Sequence, residues 1–277
     1  MTVLIAGCGD LGIEAGRRFI ALGHRVIGVR RTISALPDEF DRQSVDLRTS
    51  RPDVPRDTDI VVVCLTAGER SAEAYRATYL EGLRHVLDAV DDSDASPRVL
   101  LVSSTAVYDV DDGSWVDERT PATSTAPTAA VLIETEQLLA ERSPGSIALR
   151  LGGIYGPGRE LLIGQVREGR AGYSARPLHT NRIHRDDAAA AIVHLTTAVA
   201  DPAPVYLGID DDPAPFDEVI RFLAAELDVA PPAAGAETTR AAGGDKRCSN
   251  ALLRGTGFEF TYPDYRAGYR ALIAASA

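Results

Sequence analysis

The chain has 277 residues, 45% hydrophobic and 25% charged, enough apolar material for a large buried core, which excludes a disordered or fibrous chain. A formal charge of -11 speaks against non-specific binding to nucleic acid or to an anionic membrane surface. The longest strongly apolar run, Ile60 to Leu65, is too short to span a bilayer, and the opening Met1-Thr2-Val3-Leu4-Ile5 lacks the basic region of a signal peptide.

In chain order, Thr2–Ala6 reads as a short apolar strand and Leu11–Leu22 as a helix with Leu11, Ala15, Phe19 and Leu22 on one face. His24–Val29 is a second strand and Ser44–Leu47 a short third. Asp59–Leu65 has no polar face, as expected of a strand covered on both sides. A long helix is predicted over Ala72–Val90, a candidate face for a homodimer, followed by a buried strand at Arg98–Ser103. Thr128–Arg142 reads as a helix stopped by Pro144-Gly145, and Ser146–Leu151 as the next strand. After Leu151 the pattern loosens: helices at Asp186–Ala200 and Phe216–Leu227, a strand at Val205–Ile209, and a loop rich in Ala, Pro and Gly over Ala230–Gly244.

This β-α-β alternation predicts an α/β fold, a doubly wound parallel Rossmann-type sheet over residues 1–150, with a smaller, partly interleaved C-terminal region, 151–277, on the substrate side. Three cysteines, Cys8, Cys64 and Cys248, form an odd set without metal-ligand spacing. That reading is of a cytoplasmic chain with no disulfide framework and no metal site. Asp91-Asp92 and Asp210-Asp211-Asp212 read as solvated turns.

The chemistry begins at Gly7-Cys8-Gly9-Asp10-Leu11-Gly12, a G-x-G-x-x-G that follows a strand and opens a helix. Gly7 permits the tight turn, Gly9 lets a pyrophosphate approach the backbone, and Gly12 lets helix and strand pack closely. The helix start, with the amides of Asp10 and Leu11, presents N–H groups and a partial positive charge to phosphate. Where an NAD-selective site places a carboxylate, at the end of the second strand, this chain has Val29-Arg30-Arg31-Thr32. Arg30 and Arg31 can bind a 2′-phosphate, which predicts NADP(H) in preference to NAD(H); the competing reading is a pair of solvated loop arginines. Asp46 stands where it can reach an adenine, or else caps a turn. Thr66 and Ala67 follow the fourth strand at its ligand-facing carboxyl end. Cys8 reads as a small loop residue.

Several segments together resemble the extended short-chain dehydrogenase/reductases, the NAD-dependent epimerase/dehydratase superfamily. They are Val102-Ser103-Ser104-Thr105-Ala106-Val107-Tyr108, then Leu149-Arg150-Leu151-Gly152-Gly153-Ile154-Tyr155-Gly156-Pro157-Gly158-Arg159, then Arg182-Ile183-His184-Arg185-Asp186-Asp187-Ala188. The resemblance implies a Rossmann fold, dinucleotide binding and a catalytic serine at Ser104. Two departures stand out. Ala6 occupies the family's first glycine position. The family's Tyr-x-x-x-Lys falls on Thr128 and Leu132, and Lys246 is the only lysine, with Ala242 four residues before it, so the pair is absent from the chain. In that pair the Lys lowers the Tyr pKa so that the phenol can exchange a proton with substrate; arginine does not substitute, because it stays protonated.

Tyr108 is the remaining phenol for acid/base work beside Ser104, and Tyr155 a second. His184 is a candidate proton carrier or a structural hydrogen-bonder. Trp115-Val116-Asp117-Glu118 reads as a pocket wall or an anchored surface loop. The expectation is an NADP(H)-binding oxidoreductase-like protein that moves hydride to or from a small hydroxyl/carbonyl or nucleotide-sugar substrate, with Ser104 and Tyr108 catalytic. The alternatives are a non-catalytic NADP(H) sensor, or an epimerase with non-standard acid/base residues.

Overall fold

In the computed structural model, which describes residues 1–174, 176, 178–231 and 244–276, the apolar runs of the first half become adjacent strands. They are β1 (Thr2–Ala6), β2 (Arg25–Arg30), β3 (Asp41–Ser44), β4 (Thr58–Val63), β5 (Arg98–Ser104), β6 (Ile147–Leu151) and β7 (Val205–Gly208). They form one seven-stranded parallel sheet in the order β3-β2-β1-β4-β5-β6-β7. The order reverses beside β1, and such a reversal opens a crevice at the carboxyl ends of the strands. Leu4 faces Ile27 on one side and Val61 on the other, so β1 is central and wholly buried.

The described chain falls into two units. The first comprises Met1–Val107, Ala122–Arg150 and Ala189–Tyr206; the second comprises Tyr108–Pro121, Leu151–Ala188 and Leu207 onward. In the first, α1 (Asp10–Ala21), α2 (Glu81–Asp92) and α3 (Pro127–Arg142) accompany the strands. Leu83, Val86 and Leu87 of α2 and Leu139 of α3 join Leu4, Val61, Val63 and Leu101 in one core cluster. The second unit has its own cluster, with Tyr155, Ile163, Phe216, Val219, Leu223, Tyr265 and Tyr269 buried together. Its helices include Phe216–Glu226 and Tyr265–Ala275, the latter capped by Asp264, which accepts from the Ala267 N–H.

Four expectations change. Asp91 and Asp92, read as a solvated turn, are the last residues of α2 and pair with Arg142 and Arg51. The third strand lies at Asp41–Ser44, not Ser44–Leu47. As an edge strand it is set by pairing with Ile27–Arg30 rather than by its own hydrophobicity, and its residues are largely exposed. The helix predicted over Ala72–Val90 is interrupted by a π-turn at Arg76–Leu80, and its fork to α3, Arg76 Nη1 and Nη2 on the Glu134 carboxylate at 2.9 and 2.7 Å, pins that turn. Asp210 is not solvated: it is 1% exposed, while Asp211 is exposed and ion-paired to Arg254. The predicted Ala230–Gly244 loop lies mostly outside the described residues. Among the described residues no helix is long and apolar enough to cross a membrane.

Candidate functional site

The turn between β1 and α1 is held by two donors on one acceptor: the Gly7 and Cys8 N–H groups both reach the Val29 carbonyl, at 3.0 and 2.9 Å. Gly7 has φ +81°, and a Cβ there would stand 2.7 Å from the Cys64 carbonyl oxygen, so the fold itself demands glycine. At Gly12 a Cβ would lie 3.0 Å from Ile5 Cγ2, the close helix–strand approach the spacing predicts. Gly9 differs. It is the N-cap of α1 at φ −90°, and a Cβ on it would meet nothing nearer than the Gly7 carbonyl at 3.9 Å. Neither backbone strain nor packing requires glycine there. Asp10 is exposed in the first helical turn and Leu11 is buried beneath it. The helix start has no side-chain cap.

Arg30 ends β2 half-buried, its Nη1 3.4 Å from the Cys8 carbonyl, so its guanidinium lies against the glycine turn. Arg31 is exposed, and its carbonyl accepts from Ser44 Oγ at 3.0 Å. Asp46 follows β3 in a turn whose Thr49 and Ser50 N–H groups donate to its carbonyl. Its carboxylate is gripped by Arg48, with Nη2 2.6 Å from Oδ2 and Nε 2.9 Å from Oδ1. That hydrogen-bonded pairing pulls the Asp46 carboxyl down to about 2.

Beyond β4, Thr66 is exposed and Ala67 half-buried. Burial pushes the phenol of Tyr79, a π-turn residue, up to about 12, with Tyr75 and Cys64 adding to the rise and the Ala67 backbone opposing it. Sequence reasoning passed over Tyr75 and Tyr79, whose rings meet at 5.0 Å; their i, i+4 spacing was the available signal. Cys8 is fully buried, and burial raises its thiol to about 12, with Cys64 adding to the shift, so it is an inert packing residue.

At the end of β5, Ser104 is half-buried and its Oγ accepts the Ala106 N–H at 3.2 Å; a hydroxyl that accepts keeps one proton of its own to donate. Next to it, Ser103 donates to Glu136, which Arg150 clasps with Nη2 2.6 Å from Oε2. This buried network ties β5, α3 and β6 together. On α3, Thr128 is half-buried and Leu132 buried.

In the second unit, Tyr108 is 2% exposed and donates its hydroxyl to the Asp117 carbonyl at 3.0 Å. Lys246, also buried, donates from Nζ to the Tyr108 carbonyl at 3.3 Å. Trp115 is 57% exposed, stacked under Arg247, in a strand pair with Arg247–Cys248. His184 is buried against Tyr155 and Tyr262, and its Nδ1 accepts the Asp186 N–H at 3.2 Å, a structural use of the ring. The Tyr155 hydroxyl, Arg182 Nη1, Asp210 Oδ2 and the Tyr265 hydroxyl are buried with no hydrogen-bond partner among the described residues. Burial, and secondarily Asp210, raises the Tyr155 phenol; burial likewise raises the Asp210 carboxyl well above the carboxylate range, against the pull of Arg182.

A parallel sheet of this order with a glycine turn after β1 is an open, doubly wound α/β protein of the Rossmann type. No family model and no curated protein matches the chain. Solved structures do. A protein from Methylobacillus flagellatus assigned as an NAD-dependent epimerase/dehydratase is 38% identical at TM-score 0.81, over 99% of this chain and 98% of that one. A conserved protein of unknown function from Silicibacter pomeroyi is 28% identical at TM-score 0.79, over 99% and 98%. UDP-glucuronic acid 4-epimerase from Bacillus cereus, in complex with NAD, shares the fold at 15% identity and TM-score 0.79, over the whole of both chains. The chain belongs to the NAD-dependent epimerase/dehydratase superfamily.

Proposed function

We propose that this protein binds NADP(H) at the β1–α1 turn and acts as an oxidoreductase-like member of its superfamily on a small hydroxyl/carbonyl or nucleotide-sugar substrate in the cytoplasm. The observation that carries the nucleotide reading is Gly9, a glycine that neither strain nor packing explains and that leaves the backbone bare at an uncapped helix start. The residues present fit a dinucleotide: Gly7, Gly9, Asp10, Leu11 and Gly12 at the diphosphate, Arg30 and Arg31 at a ribose 2′-phosphate, Asp46 toward the adenine, Thr66 and Ala67 along the strand ends. Two guanidinium groups in place of a carboxylate at the end of β2 favour the phosphorylated coenzyme. A bound nicotinamide would supply hydride transfer. Ser104 would donate its proton to the substrate oxygen, with Tyr108 the second orienting residue.

The test is calorimetric titration with NADPH and NADH, followed by stopped-flow mixing of the NADPH complex with aldehydes, ketones and nucleotide sugars. Arg30→Ala with Arg31→Ala is expected to raise the NADPH dissociation constant while leaving that of NADH in place; an unchanged ratio refutes the NADP(H) preference. A second reading, a non-catalytic NADP(H) sensor, is favoured by the absent Tyr-x-x-x-Lys and by a Tyr108 hydroxyl committed to the Asp117 carbonyl. Tight NADPH binding without turnover selects it; turnover abolished by Tyr108→Phe selects the enzyme.

A further inference from the structure

The two arginines that end β2 do not stand alone. β3 lies beside β2 with Ser44 opposite Arg30, and the Val45 N–H donates to the Arg30 carbonyl at 3.2 Å. The Ser44 Oγ also donates to the Arg31 carbonyl at 3.0 Å, so the chain leaving β3 carries Asp46 past the end of β2 that bears Arg30 and Arg31. A carboxylate in this neighbourhood has two effects on a ribose 2′-phosphate: it repels the phosphate, and it competes for the guanidinium that would bind it. Arg48 prevents both. Two of its side-chain nitrogens take the two Asp46 oxygens, and its own N–H closes a third bond to Oδ1 at 3.1 Å.

We infer that Arg48 is a specificity-determining residue, which selects NADP(H) over NAD(H) by occupying Asp46 and so keeping that carboxylate from competing with a 2′-phosphate for Arg30 and Arg31. The inference rests on the NADP(H) reading above and adds to it a residue that need not touch the coenzyme. Because side chains of Arg48 and Asp46 are 47% and 30% exposed, the effect is that of one uncovered charge acting through a largely aqueous medium. It amounts to about three- to tenfold in affinity.

The experiment is a double-mutant cycle read by calorimetry with NADPH and NADH: wild type, Arg48→Gln, Asp46→Asn and the double variant, each at low and at physiological salt. Arg48→Gln is expected to weaken NADPH about three- to tenfold, more at low salt, with NADH unchanged or tighter. The double variant is expected to recover the wild-type ratio of NADPH to NADH affinity to within about twofold, because the uncovered carboxylate is gone and any loss at the adenine falls on both coenzymes alike. Equal weakening of both coenzymes by Arg48→Gln overturns the proposal, since Arg48 would then only brace the turn. So does a wild-type preference for NADPH that survives Arg48→Gln unchanged, which leaves the Arg30/Arg31 reading standing. A wild-type chain that binds neither coenzyme, or prefers NADH, overturns the NADP(H) reading and this inference together.

Discussion

The glycine turn and the Tyr155–Arg182–Asp210 centre are both polar, and they are built on opposite terms. In the turn, the Gly7 and Cys8 N–H groups are paired to the Val29 carbonyl and that of Gly9 to the Gly7 carbonyl, and the start of α1 carries no side-chain cap. In the second unit, side-chain polar atoms of Tyr155, Arg182, Asp210 and Tyr265 are buried without hydrogen-bond partners among the described residues, a costly arrangement in a low dielectric. Arg182 and Arg266 lie over the Tyr265 ring, at 5.3 and 4.3 Å, so aromatic faces take part of the charge. The contrast teaches that polar groups gathered at a strand–helix junction cost the fold little and can be left to chemistry, whereas buried ones load its stability.

That contrast breaks first at Gly7. Gly7→Ala meets both a positive φ and the Cys64 carbonyl, and is expected to cost about 2–4 kcal/mol in urea unfolding. Gly9→Ser sharpens it: serine is a good N-cap, so stability is expected to hold within about 0.5 kcal/mol or rise. NADPH affinity is nevertheless expected to fall tenfold or more, about 1.4 kcal/mol, as the side chain enters the phosphate's approach. Unchanged affinity in Gly9→Ser refutes the role given to that glycine.

The buried centre is tested by pH. The Asp210 carboxyl is raised in the folded state, so its contribution is complete below the unfolded carboxylate pKa near ~4 and is lost as pH rises toward the folded value. Asp210→Asn removes that loss while an amide oxygen can still accept the Asp212 N–H. The variant is expected to gain on wild type as pH rises from 4 to 8, by about 1 kcal/mol or more. Parallel wild-type and variant curves refute it. The smallest effect is at Asp46, whose carboxyl is depressed to about 2. Its pairing contributes above the unfolded value and fades as pH falls through the folded one. Half-exposed to water, it is worth under about 1 kcal/mol, seen as a slightly steeper acid limb in wild type than in Asp46→Asn.

The legible part of the fold was the part with short-range rules. Strands without a polar face at Thr2–Ala6 and Asp59–Leu65, and the helix after the glycine turn, appear within a residue or two of expectation. The Tyr265–Ala275 helix was missed although its signals were present: an Asp264 cap and buried residues at 265, 269 and 272. The polar edge strand Asp41–Ser44 carried no signal, because only its neighbour makes it a strand. The same holds for two-residue pairings such as Trp115–Val116 with Arg247–Cys248. Within the site, the roles of Gly7 and Gly12 followed from spacing, but Tyr79 against Ala67 and Arg48 on Asp46 did not, since each depends on how a turn folds back.

Spacing and residue type alone determined the Rossmann turn, the arginines where a carboxylate is usual, and the lack of a Tyr-x-x-x-Lys, because these rest on backbone geometry and charge that act over a few residues. Which carboxylate is neutralised and which is buried was decided only by the tertiary structure. Asp46 and Asp210 are the same residue type, yet one is pulled down by a guanidinium at its surface and the other pushed up by the loss of water. Desolvation and pairing are properties of what packs around a group, and no local pattern contains them.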